Sequence, residues 1–99
     1  MQIIHGYIVS APLFELGEIV MTIGAEAFLT EKGRDPAFLL ARHQSGDWSD
    51  MLPECQEENK EALEKWYRIL SSYKIEGETI WVITEWDRSV TTILLPDEY

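Results

Sequence analysis

The fold is decided by the stretch YKIEGETIWVITEWDRSVTTILL at residues 73–95. From Tyr73 the sequence changes from a helical period to a period of two and is rich in β-branched and aromatic residues, which is typical of β-strands rather than of a helix. Turn-forming residues interrupt the stretch at 76–78 and at 87–89. We therefore predict an antiparallel meander of three strands at 73–75, 79–84 and 90–95.

The alternation also assigns side chains to the two faces of this meander. One face should carry Ile80, Val82, Thr84 and Trp86. The other should carry Trp81, Ile83 and Glu85. Because both faces are partly apolar, we expect helices to cover one of them and another surface, such as a partner chain, to meet part of the other.

Capping residues upstream of the meander predict two short helices. The first begins after Thr22 as N-cap and is closed by Gly33. The second has Asp35 at its N-cap and Pro36 at its first position, where the missing N–H costs nothing, and it stops at Gly46.

The longest predicted helix opens at Pro53 and runs to Leu70 or Ser71. Its first half is almost wholly polar. Its second half has apolar residues spaced three and four apart, which predicts one buried stripe. The stripe consists of Leu63, Trp66, Tyr67 and Leu70.

Two apolar segments near the N-terminus are candidate strands. Ile3–Val9 is a short strand or an ordered extension, and Glu18–Met21 is a second strand candidate. We expect residues 1–15 to form an N-terminal extension or strand and residues 16–99 to form one domain. The predicted fold is α+β, with three helices packed on one face of the meander and an N-terminal strand added to it.

Composition narrows the class of function. Eighteen acidic and eight basic residues leave a net charge of −10. This balance disfavours direct nucleic-acid binding and attraction to anionic membranes, because both need clustered Lys and Arg. Cys55 is the single cysteine, so neither an intrachain disulfide nor a Cys-rich zinc site is expected. No run approaches the length of a membrane span, and a cytoplasmic protein without a cofactor is expected.

Four segments of the chain resemble a family of small proteins carried on bacterial plasmids, phages and other mobile elements. The shared patterns are L-G-x-I-V-x-T at 16–22, A-R-H-x-x-G-D-W at 41–48, I-T-E-x-D-R-S-x-T at 83–91 and L-L-P-x-E-Y at 94–99. The chain departs from the family at Ile23, Ser49 and Trp86, where Pro, Gly and Ala are usual.

The resemblance implies a setting, namely an accessory gene on mobile DNA. Members of the family are often labelled as plasmid proteins or as subunits of a type I restriction system. A restriction methylase subunit needs a cofactor-binding domain with a Gly-rich strand–turn–helix, which this sequence lacks.

Two of these motifs hold the candidate catalytic residues, His43, Asp47, Asp87 and Arg88. His43 and Asp47 lie one helical turn apart and could form a general-base couple, while Arg88 could clamp a phosphate or carboxylate. The structural interpretation is that His43 and Asp47 stabilise a helix end and its loop. Arg88 would then pair with Asp47 or Glu85 and connect that loop to the 87–89 turn.

An acidic run and two tryptophans are the candidate partner-binding residues. They are Glu54, Glu57, Glu58, Glu61, Trp48 and Trp86. Such a surface fits a basic or nucleic-acid-binding protein, although a solvated helix face is the simpler interpretation. Trp48 also fits a core position beneath its loop. The acidic residues match no metal-binding spacing, so no metal site is expected.

Two hypotheses of function follow. The first is a non-enzymatic interaction protein that inhibits or modulates a host or defence protein. The second is a small enzyme, such as a hydrolase or toxin-like nuclease, with a site formed by His43, Asp47, Asp87 and Arg88. A homodimer formed through an exposed sheet face is compatible with either.

Overall fold

The computed structural model describes residues 12–99 and the backbone of residues 2–4 and 7–9. The strands are β1 (Gln2–Ile4), β2 (Tyr7–Val9), β3 (Glu18–Met21), β4 (Ile69–Ile75), β5 (Glu78–Thr84) and β6 (Val90–Leu94). The helices are α1 (Ile23–Lys32), α2 (Pro36–Ser45) and α3 (Pro53–Lys65), and a 3-10 turn follows at Pro96–Glu98. The predicted α+β class is confirmed.

The main sheet has four strands in the order β3-β6-β5-β4. Strands β4, β5 and β6 pair antiparallel along the chain, as the period-two pattern predicts. Strand β3 pairs with β6 in parallel, so the sheet is mixed rather than purely antiparallel. Parallel pairing requires a crossover connection, and here the chain between β3 and β6 supplies it with the helices and two strands.

The predicted N-terminal strand is wrong in its position. The fourth strand of the main sheet is Glu18–Met21. Within the earlier segment, Gln2–Ile4 and Tyr7–Val9 pair antiparallel with each other as a separate two-stranded sheet. The prediction of one strand over Ile3–Val9 also covers residues 5 and 6, which lie outside the described residues.

The predicted N-caps and the predicted terminal glycines of α1 and α2 are confirmed. The side chains of Thr22 and Asp35 each accept a hydrogen bond from the first turn of the following helix. Gly33 and Gly46 end the helices with φ of 64° and 78°, in the left-handed region that glycine adopts without a Cβ penalty.

Helix α3 ends earlier than its apolar spacing predicts. Its last residue is Lys65, and Trp66 leaves the helix with a φ of 58°. Strand β4 begins at Ile69 and pairs with β5 over seven residues, which outweighs the helical spacing. The predicted buried stripe is therefore wrong, because Trp66 and Tyr67 are 58% and 54% exposed.

The core lies on one face of the main sheet. Residues of all three helices pack there, namely Ala25, Leu29, Ala37, Leu39, Leu40 and Ala62. They meet strand residues that include Tyr73, Ile80, Val82 and Ile93. The prediction that Trp86 continues the strand face of Ile80, Val82 and Thr84 is wrong, because β5 ends at Thr84. The Trp86 side chain is 63% exposed.

Gly17, the residue before β3, has no room for a side chain where β3 pairs with β6. Its φ is +66°, and a Cβ placed there would lie 2.3 Å from the carbonyl oxygen of Ser89. The neighbouring Glu18 N–H donates to that same oxygen. Gly33 has a similar φ of +64°, but its Cβ position is open, so it makes a matched control.

We expect Gly17→Ala to lower the free energy of unfolding by about 2 kcal/mol and Gly33→Ala by about 1 kcal/mol. The larger loss for Gly17→Ala reflects the displacement of β3 from β6 that a Cβ at residue 17 would require. Urea denaturation of the two variants measures it, and equal losses would contradict the close approach of residue 17 to Ser89.

Candidate protein-interaction surface

His43 lies inside the protein, on α2 and beneath the sheet, with 0% of its surface exposed. Its Nδ1 lies 2.5 Å from the Ser71 Oγ and its Nε2 lies 2.8 Å from the Thr84 Oγ1. Burial, together with the positive charge of Arg88, lowers the pKa of His43 to about 3. The imidazole is therefore neutral at pH 7 and connects α2 to strands β4 and β5.

The direction of these hydrogen bonds determines the tautomer of His43. The Thr91 hydroxyl donates to the Leu16 carbonyl, so it must accept from the Thr84 hydroxyl, 2.7 Å away. Because the proton of Thr84 is then used, Thr84 accepts from His43, whose Nε2 must carry the hydrogen. The Nδ1 of His43 is left as an acceptor for the Ser71 hydroxyl.

Trp48 completes this buried chain of hydrogen bonds. Its indole N–H donates to the Ser71 Oγ at 2.8 Å, and the side chain is only 4% exposed. The prediction of Trp48 as a partner-binding anchor does not fit this position, because the indole is packed in the core. The alternative interpretation, a core residue beneath the loop, describes its place.

Asp47 lies apart from His43 and pairs with Arg42. The Arg42 Nε is 2.8 Å from the Asp47 carboxylate, and this hydrogen bond is the main cause that lowers the pKa of Asp47 to about 2. The same guanidinium reaches Asp50 at 3.4 Å and lies over the Tyr73 ring. These contacts hold the loop after α2 against β4.

Arg88 is a buried cation whose partners are backbone carbonyls. Its Nη1 donates to the carbonyls of Tyr67 (2.7 Å), Trp86 (3.0 Å) and Glu85 (3.2 Å), and its Nη2 donates to Ala62 (3.0 Å). Ala62 belongs to the last turn of α3, where a cation meets the negative end of the helix dipole. Arg88 thus connects the end of α3 to the β5–β6 turn through these hydrogen bonds.

The four candidate catalytic residues do not form one site. Asp87 accepts hydrogen bonds from the backbone and hydroxyl of Ser89 at 3.1 and 2.6 Å, which lowers its pKa and shapes its own turn. His43 is buried, Asp47 pairs with Arg42, and Arg88 binds carbonyls. The predicted bridge from Arg88 to Asp47 is replaced by these separate contacts.

Three exposed aromatic residues contact Arg88 through a ring or through their backbone, and we term them the aromatic patch: Trp66, Tyr67 and Trp86. Their side chains are 58%, 54% and 63% exposed. The Arg88 guanidinium lies 4.9 Å from the Trp66 ring centre and binds the backbone of the other two. Trp66 and Arg88 both have positive φ, a strained backbone that marks many functional sites.

A groove of about 480 Å³ runs from this patch between α3 and the start of β4. Its apolar lining is Met51, Cys55, Ala62 and Leu70. Glu58 and Glu61 stand at its side, and Tyr67 belongs to both the groove and the aromatic patch. The groove therefore joins an apolar surface to two carboxylates and to the exposed Tyr67, and Arg68 also belongs to its lining.

The acidic face of α3 borders this groove. Glu54, Glu58 and Glu61 are four and three residues apart, so they share one flank of the helix. All three side chains are exposed, as is that of Glu57 beside them. Lys65 pairs with Glu61 at 2.9 Å and Lys60 with Glu57 at 2.9 Å, in surface contacts that leave the face negative.

The sequence predicts the glutamates and Trp86 as partner-binding residues, but it does not predict exposed positions for Trp66 and Tyr67. Their apolar spacing is that of a buried helical stripe, and neither residue has a local signal for the turn that exposes them. Arg88 stabilises that turn, since it binds the carbonyls on both sides of the helix end. It lies 22 positions after Trp66 in the sequence, so no local pattern reveals the contact.

Two other kinds of site have no candidate among the described residues. Within residues 12–99 no group of three or more His, Cys, Asp and Glu side chains is placed to hold a metal ion. Among the helices of the described part, none combines the length and the apolar character needed to cross a bilayer. Comparisons with protein-family models, curated proteins and solved structures each found no match.

Proposed function

We propose that the chain is a non-enzymatic interaction protein that binds a basic surface of another protein. The observation that carries this proposal is the junction of the aromatic patch with the acidic face of α3 along one groove. Trp and Tyr are the residues that most often anchor protein interfaces, since they bury a large area with few rotatable bonds.

The charge of this surface indicates the chemistry of the partner. Glu54, Glu57, Glu58 and Glu61 repel anionic partners and attract Arg and Lys, which also stack on exposed indole rings. A nucleic-acid-binding protein presents such a basic surface. Binding here would cover it, so the chain would act as an inhibitor or modulator of that protein, in line with the mobile-element setting.

A short peptide of alternating arginine and leucine is a defined probe of this surface. We expect it to bind at low salt and to perturb the fluorescence of the exposed tryptophans. The triple variant Glu57→Lys, Glu58→Lys, Glu61→Lys should weaken binding by about tenfold or more. The control is Glu26→Lys, Glu31→Lys, Asp97→Lys, which changes the net charge equally at exposed residues elsewhere.

The aromatic contribution is tested in the same titration. Trp66→Ala and Trp86→Ala should each weaken binding by about tenfold. Phe38→Ala removes an exposed ring of α2 that lies outside the patch and the groove lining, and it should not weaken binding. If the two charge variants weaken binding equally, the peptide responds to the net charge alone. That result would refute the proposed surface.

A further inference from the structure

The groove beside α3 carries opposite charges on its two sides. Glu58 and Glu61 line it from α3, and Arg68 lines it from the segment that leads into β4. All three side chains are exposed. Arg68 is the one basic residue among the described residues that line this groove. The groove is therefore not uniformly acidic, although the chain as a whole has a net charge of −10.

The fold does not use the charge of Arg68 in an ion pair. Its guanidinium lies 5.3 Å from the centre of the Tyr99 ring, and the side chain makes no hydrogen bond or ion pair with any residue of 12–99. Glu58 also has no ion pair within that part of the chain, whereas Glu61 is paired with Lys65. Two opposite charges that face one groove without pairing are both available to a ligand.

The rest of the groove lining is mainly apolar, and its volume of about 480 Å³ lies within the usual range of ligand sites, roughly 300–1,000 Å³. The Asn59 amide also reaches the groove, but it donates to the Leu70 carbonyl at 2.8 Å and accepts from the Leu70 N–H at 3.2 Å. Because the fold occupies this amide, the charged side chains are left to select the ligand.

We propose that the groove binds a peptide segment of mixed charge on the partner protein. The segment supplies a basic residue to Glu58, an apolar residue to the groove lining and an acidic residue to Arg68. This inference rests on the proposed function and adds to it one carboxylate at a defined place within the basic surface. A guanidinium and a carboxylate form two parallel hydrogen bonds, so Arg68 would fix the direction in which the segment lies.

A protein segment fits this combination of charges better than a nucleic acid does. A phosphate group would also pair with Arg68. A nucleic acid carries a phosphate at every nucleotide, however, and Glu58 and Glu61 would repel the neighbouring ones. A peptide supplies a cation, an apolar side chain and a single carboxylate within a few residues.

Titration with matched peptides tests this inference. The probes are the peptide of alternating arginine and leucine and two derivatives in which its last arginine is replaced by glutamate or by glutamine. The glutamate derivative should bind the wild type about fivefold more tightly than the glutamine derivative does. The net charge of −10 alone predicts the opposite order, because it repels the added carboxylate.

Variants of Arg68 separate the local contact from the overall charge. Arg68→Gln should remove the preference for glutamate over glutamine, and Arg68→Glu should reverse it. Arg34→Gln is the control, because it removes a positive charge from another exposed arginine and should keep the preference of the wild type.

Equal binding of the glutamate and glutamine derivatives to the wild type would overturn the proposal, as it would if Arg68 turned to pair with Glu58 instead. Equal effects of Arg68→Gln and Arg34→Gln would also overturn it. The all-arginine peptide and its loss of binding to the Glu57→Lys, Glu58→Lys, Glu61→Lys variant test the proposed function separately. That function therefore stands if only the preference for glutamate fails, whereas the absence of binding by every peptide would refute both.

Discussion

Replacing Arg88 by alanine is expected to lower the free energy of unfolding by about 3 kcal/mol. The change removes the side-chain donor to the carbonyls of Tyr67 and Ala62 at the end of α3, and Ala62 keeps only its backbone donors, the N–H groups of Trp66 and Tyr67. It also removes the cation that stabilises the left-handed turn at Trp66. Arg88→Lys should recover less than half of the loss, because one ammonium cannot reach carbonyls on both sides.

Equilibrium unfolding in urea, followed by tryptophan fluorescence, measures this effect. Arg34→Ala is the matched control, since Arg34 is an exposed arginine whose side chain has no hydrogen bond or ion pair within the described residues. A loss for Arg88→Ala within about 0.5 kcal/mol of that control would contradict the assigned role. If Arg88 holds the aromatic patch in place, the folded Arg88→Lys variant should also bind the basic peptide more weakly.

Replacing His43 by alanine is expected to cost about 4 kcal/mol of unfolding free energy. It opens a cavity beneath Phe14, whose ring centre lies 4.9 Å from the imidazole. It also leaves Ser71 and Thr84 without their shared partner. The buried hydrogen-bond chain between α2 and the sheet would then be broken in its middle.

His43 also predicts a dependence of stability on pH. Its pKa of about 3 in the folded protein lies below the ordinary value of 6.5. As pH falls from 7 to 5, the unfolded chain takes up a proton at His43 and the folded chain does not. The free energy of unfolding should fall by about 2 kcal/mol from this residue alone.

The comparison of the wild type with His43→Gln at pH 7 and pH 5 isolates this effect. The His43→Gln variant should lose the dependence of its unfolding free energy on pH between 7 and 5. His5→Gln, measured in parallel, separates the contribution of the other histidine. Should His43→Gln fail to fold, the NMR signals of the His43 ring in the wild type give the same information. A His43 ring that titrates near pH 6.5 in the folded protein would contradict the buried, neutral assignment.

Local sequence signals predicted the parts of the fold that depend on local chemistry. Asp35 and Gly46 define α2 because a cap and a left-handed glycine act within one turn. The meander follows from alternation over 73–95. Strand β3 was identified as a strand, but its partner β6 lies at the other end of the chain, and no local pattern specifies that pairing.

The end of α3 shows why the site was only partly predictable. Leu63 and Leu70 fit a helical stripe, yet Ile69, Ser71 and Tyr73 also alternate as a strand. Pairing with β5 decides between the two patterns, and pairing is a tertiary property. The exposed position of Trp66 follows from the pairing of β4 with β5. The burial of Trp48 against Ser71 of β4 follows from the same pairing.

The proposed function requires that a basic protein bind the acidic face of α3 and the aromatic patch. The most direct measurement is capture from a bacterial lysate at low and high salt, with bound proteins identified by mass spectrometry. The wild type and the Glu26→Lys, Glu31→Lys, Asp97→Lys control should retain one protein near one-to-one at low salt and lose it at high salt. The Glu57→Lys, Glu58→Lys, Glu61→Lys variant should not retain it. An empty capture, or equal retention by both charge variants, would contradict the claim.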